Sequence, residues 1–176
     1  MLYDRLMHAV RHGLGIVRDV VAPGVPLKLW NQPHWELRGS VDATQLLRSL
    51  SIFEPATTLY LEGTAIAKEI EEFLQLHVEA GPYLPGRQVI WSTDTIRRFR
   101  LPASRVVLDG LARMAKSYAE PELFEFLFLY RESEAIVEYP DAFHDDSPMY
   151  VSGHVPDERV HRFADELGLR VSREGV

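Results

Sequence analysis

Cysteine is absent from the 176 residues. That excludes disulfides, zinc–thiolate sites, iron–sulfur clusters and a cysteine nucleophile, and it leans toward a reducing compartment, so the expected location is the cytoplasm. Long apolar runs are missing too. No stretch of about 18 apolar residues occurs, which argues against a membrane-spanning helix and a membrane partner. Asp4, Arg5, Arg11, Arg18 and Asp19 break up the first 21 residues, so no signal-peptide core is expected there. Positive charge is in deficit: 19 Lys and Arg stand against 26 Asp and Glu, a net charge of −7. A phosphate backbone is repelled by such a chain, and no nucleic-acid partner is expected.

Catalytic motifs are also lacking. There is no G-x-S-x-G elbow and no H-E-x-x-H helix. Gly81 to Gly86 has the glycine spacing of a phosphate-binding loop. Its chemistry fails, because Arg87-Gln88 replaces the Lys-Ser/Thr pair and Pro82 and Pro85 remove backbone donors. Gly13-Leu14-Gly15 lies inside a helical pattern without the third glycine of a dinucleotide site. No cofactor is implied.

What is present is an ordinary folding composition, 46% hydrophobic and 26% charged, in a chain the length of one domain. The expected class is α/β (or α+β): a single domain over 1–176 with a mixed sheet flanked by amphipathic helices. Leu2, Leu6, Val10, Leu14, Val17 and Val21 recur at three and four, predicting an amphipathic helix over about 2–21. Strand–helix alternation follows. A short strand is expected around Trp35 to Gly39, then a helix capped by Asp42 with Gln45 three residues on. Thr57 to Glu62 reads as a strand, about 65–79 as a helix, Gln88 to Ser92 as a strand and about 103–118 as a helix. Leu123 to Tyr130 and Ala135 to Tyr139 read as an antiparallel hairpin at about 123–139. Met149 to Ser152 is a further strand. Pro156, Asp157 and Glu158 open a last helix that Gly168 closes, and Arg170 to Ser172 adds an edge strand. Repeated strand–helix alternation suggests a parallel-leaning first part to the sheet.

Two groups of residues carry the candidate chemistry. His144-Asp145-Asp146, with His154, Asp157 and His161 further on, offers imidazole and carboxylate ligands to a metal, with His144, Asp145 and His154 as the candidate set. The spacing matches no known ligand pattern, and Asp145-Asp146-Ser147-Pro148 is also an ordinary turn, so no metal is expected. The second group is Ser92 to Asp94 with Arg97, Arg98 and Arg100. Ser92 to Asp94 and Glu62 to Thr64 both follow expected strands, where α/β sheets place ligands. Neighbouring strands would bring Glu62 and Asp94 together with the arginines as an anion site. The plainer reading of Arg97, Arg98 and Arg100 is balance for surface carboxylates. His34 with Trp30 and Trp35 is an aromatic surface or, for at least one tryptophan, core.

With no complete catalytic set, the expectation is a non-catalytic binding module for a protein partner or a homo-oligomer, not an enzyme. The alternative is a small hydrolase-like enzyme whose acid/base or metal chemistry sits at the strand ends and the 141–154 loop, on Glu62, Asp94, Asp141, His144 and Asp145.

Overall fold

The computed structural model describes residues 28–29, 32–82, 84, 96–119, 121–140, 142 and 147–174. The expected helix at 2–21 and strand at 88–92 lie outside them.

Among the described residues, seven strands and four α-helices follow one another. The order is β1 (His34–Arg38), α1 (Ala43–Ser49) with a 3₁₀ turn at Leu50–Phe53, β2 (Thr58–Gly63), α2 (Lys68–Gln75), β3 (Arg97–Pro102) and α3 (Arg105–Met114). Then come β4 (Phe126–Arg131), β5 (Glu134–Tyr139), β6 (Met149–Ser152), α4 (Asp157–Leu167) and β7 (Arg170–Glu174). The local signals lie where the sequence places them. The Asp42 side chain accepts from the Gln45 backbone N–H at 2.8 Å and caps α1. Ser104 caps α3 through Val107 N–H. Gly168 ends α4 at φ 67, a left-handed position that glycine occupies without steric cost.

The strands form one open sheet in the order β3-β2-β4-β5-β6-β1-β7. The antiparallel hairpin is there as expected, β4 with β5, joined through Glu132 and Ser133. The parallel-leaning first part is not. β2 runs antiparallel to both β3 and β4, and every pairing among the described strands is antiparallel.

The register gives the reason. Thr58 faces Pro102 on one side and Tyr130 on the other, so β3 and β4 run parallel to each other with β2 between them. Trp35 likewise faces Val151 and Arg173, so β6 and β7 are parallel with β1 between them. The helices α3 and α4 do make parallel crossovers, as strand–helix–strand alternation implies. Each crossover straddles an antiparallel strand, a split β-α-β arrangement.

The four helices cover one face. Beneath them lies the main core, with Leu46, Leu47, Leu59, Leu61, Phe99, Leu111, Leu127, Leu129, Val151 and Phe163 among its members. At Gly110 of α3 a side chain would run into the Phe73 ring, so the missing Cβ is what lets α2 close against α3. The opposite face carries a second, smaller cluster: Tyr60, Phe126, Phe128, Tyr130, Ala135 and Tyr150, with Leu29 packed on it and Leu84 beside it. Among the described residues, no helix is long and apolar enough to cross a membrane.

Candidate functional site

Side chains alternate across a sheet, so the second face is built from every other residue of each strand. Arg100, Tyr60, Phe128, Glu138, Tyr150 and Glu36 stand in one register row from β3 to β1. Arg98, Glu62 and Phe126 form the next row. Among the described residues, two carboxylates on this face are buried, Glu62 at 0% and Glu138 at 1% exposure.

Glu138 is held by backbone. Lys28 N–H donates to Oε1 at 2.9 Å and Leu29 N–H to Oε2 at 3.0 Å. Two successive amides thus grip both oxygens of one carboxylate, an anion-binding concavity of the kind consecutive N–H groups make. Lys28 Nζ also donates to Ser133 O at 3.2 Å and lies 4.9 Å from the Tyr130 ring centre. Tyr130 meets Tyr60 edge to face at 5.3 Å. Burial pushes the Tyr130 hydroxyl above its ordinary range, and the neighbouring Glu138 adds to the shift. Tyr60 donates its hydroxyl to Pro82 O at 3.0 Å.

Glu62 stands opposite Arg98, Oε1 to Nε 3.8 Å, on the second face. The expected neighbourhood of Glu62 and an arginine is therefore present, while Asp94 lies outside the described residues. The three arginines of β3 do not converge, because alternation sends them to two faces. Arg97 points to the helical side, donating to Ile66 O at 3.1 Å and to Thr64 O at 3.4 Å, and pairing with Glu71. Arg100 donates to Ala80 O. The Thr64 turn after β2 is held from the other side by Glu125, whose carboxylate accepts from Thr64 N–H at 2.9 Å and Thr64 Oγ1 at 3.0 Å. The polar groups at this strand end are thus engaged with one another.

The loop candidates Asp141, His144 and Asp145 lie outside the described residues. His154 is exposed in the turn after β6. Glu62 is near the opposite end of its strand, three strands away in the sheet. Among the described residues, no three His, Asp or Glu side chains gather into a group able to hold a metal. Trp35 is core at 6% exposure. His34, its neighbour in β1, turns to the second face, where it meets Tyr150 edge to face at 5.3 Å; Trp30 lies outside the described residues.

A further feature carried no motif. Leu76 is 82% exposed, Val106 68% and Val78 47%. β2 and β3 fix their relation. The chain enters α2 beside Gly63 and comes back to Arg100 at Glu79, whereas α3 starts right after Pro102, so the two helices run in opposite directions. They touch at Phe73 and Gly110. Leu76 lies one turn after Phe73 and Val106 one turn before Gly110, which sets both at the same end of the helix pair. The sequence signal available was Leu76 and Val78 beyond the stripe of α2, and Val106 beside Val107, where only one of two adjacent apolar residues can face the sheet.

No known protein family, curated protein or solved structure matches this chain.

Proposed function

We propose that this protein acts by binding another protein chain and not by catalysis. The observation that carries this is the exposed apolar group Leu76, Val78 and Val106 at one end of the α2–α3 pair, beside the β3 edge. Apolar side chains grouped on a polar surface mark contact sites, because covering them removes apolar area from water at about 25 cal/mol per Å². Arg105, exposed next to Val106, adds positive charge at the start of α3. The fitting partner is an apolar segment flanked by acidic residues.

The engagement of Arg97 and Glu125 around Thr64 supports the same reading, since these groups brace a turn. So does the separation of Glu62 from His154 in the sheet. The double variant Leu76→Asp/Val106→Asp tests it. Both positions are exposed, so the thermal midpoint stays near that of the native chain. Partners crosslinked to the native protein in cells are lost with the double variant and kept with Arg48→Glu, an exposed change on α1. An unchanged set of partners overturns the reading. A rise in thermal midpoint with a divalent ion, a nucleotide or a sugar phosphate supports the alternative, a small hydrolase.

A further inference from the structure

The open sheet has two edges, and they differ. At the β3 edge the returning chain already touches the strand, Glu79 N–H donating to Arg100 O at 2.9 Å. At the other edge β7 pairs with β1 on its inner side, and among the described residues no strand pairs with its outer side. Four of its five residues, Arg170, Ser172, Arg173 and Glu174, are exposed, and Val171 is half-buried. An edge of this kind offers a row of backbone donors and acceptors to another strand.

The order of side chains along β7 selects the strand that fits. The strand reads Arg170-Val171-Ser172-Arg173-Glu174. Lay it antiparallel against a copy of itself with Ser172 opposite Ser172. Arg170 then faces Glu174 of the copy, and Glu174 faces its Arg170. The two ion pairs lie on the face that carries His34, Glu36 and Arg38. On the helical face Val171 meets Arg173 of the copy, and the Arg173 stem supplies an apolar neighbour for valine. Arg173 is already positioned there, its guanidinium 4.9 Å from the Trp35 ring centre and 3.8 Å from Asp157.

Shifted registers lose this match. Centred on Arg173, the pairing sets two arginines face to face. Centred on Val171, it sets Arg170 against Ser172. A shift by one residue sends the side chains to the wrong faces. Charged edge strands usually deter pairing, but here the charges of one register attract.

We infer that β7 is a self-association edge: two copies of this chain join β7 to β7 about a two-fold axis through Ser172, making one continuous antiparallel sheet. The contact is isologous, so it closes at two copies. Because β3 and β7 are opposite edges, the Leu76–Val106 groups of the two copies lie at the far ends of the assembly, and the dimer would present that surface twice.

Charge exchange and a thiol test this on the full chain. In sedimentation the native protein forms a concentration-dependent dimer that weakens as salt is raised. Arg170→Glu alone and Glu174→Arg alone each turn two attractive pairs into repulsive ones and weaken association by roughly tenfold or more. The double variant Arg170→Glu/Glu174→Arg recovers it. In a chain without cysteine, Ser172→Cys places two thiols on the axis, within the roughly 4.5–5.5 Å Cα separation of facing strand residues. Mild oxidation then gives a covalent dimer, while Lys116→Cys, exposed after α3, stays monomeric under the same conditions. A native chain that sediments as a monomer, or a dimer indifferent to both single exchanges, or Ser172→Cys that crosslinks no better than Lys116→Cys, overturns the inference.

Discussion

Glu138 shows how much one side chain on the second face decides. It takes two backbone N–H groups, from Lys28 and Leu29, more than a hundred residues away in sequence. A carboxylate accepting from amides makes the stronger class of hydrogen bond. Removing it leaves two donors without that acceptor, and each such loss costs on the order of 1–3 kcal/mol. Glu138→Ala is therefore expected to destabilise the fold by about 3 kcal/mol, and Glu138→Gln, which keeps one carbonyl oxygen, by about half as much. Urea unfolding checks this: the midpoint falls in the order native, Gln, Ala. A Gln variant as stable as the native chain, or one no more stable than Ala, would contradict this count of acceptors.

At the scale of an element, capping ranks the helices. Asp42 reaches the Gln45 N–H at 2.8 Å, while Ser104 reaches the Val107 N–H only at 3.4 Å. Asp42 also carries negative charge at the positive end of α1, which a hydroxyl cannot. Asp42→Ala should cost about 1.5 kcal/mol and Ser104→Ala about 0.5 kcal/mol, the upper and lower parts of the usual range for lost caps. Paired denaturation curves decide it, and a larger loss at Ser104 would contradict the geometry. The same scale explains β3. Its residues Arg97, Arg98 and Arg100 hide an alternation in which only Phe99 and Leu101 are buried, so strand Arg97–Pro102 is faint in sequence although it pairs along the length of β2.

For the whole molecule, the tyrosines link stability to alkaline pH. The Tyr130 hydroxyl has its pKa raised by burial first and by Glu138 next. Below about pH 10 the phenol is neutral in folded and unfolded chains alike, and it contributes no pH dependence. Above that, the unfolded chain loses the proton while the folded chain keeps it, so stability falls as pH rises. The slope approaches about 1.4 kcal/mol per pH unit for one proton. The thermal midpoint of the native chain should drop more steeply above pH 10 than that of Tyr130→Phe. Parallel curves for the two proteins would remove Tyr130 as the source.

Features that depend on neighbours a few residues away can be read from the order of residues. The Asp42 cap, the Gly168 stop, the β4–β5 hairpin and a strand from Arg170 are all legible in it, because capping, turn spacing and strand alternation are local. An arginine beside Glu62 was legible only as a condition on which strands are neighbours, and Arg98 lies there. The division of the arginines between two faces was not, since it depends on the register of β3 against β2. Tertiary structure alone decided the strand order. A strand's alternation is the same whichever strand lies beside it, so nothing local reveals that β2 fits between β3 and β4 or β1 between β6 and β7. It also decided the partner of Glu138, the placement of Leu76 and Val106 at the same end of a helix pair, and the exposure of β7 at the end of the sheet, because each joins segments that only the folded sheet brings together.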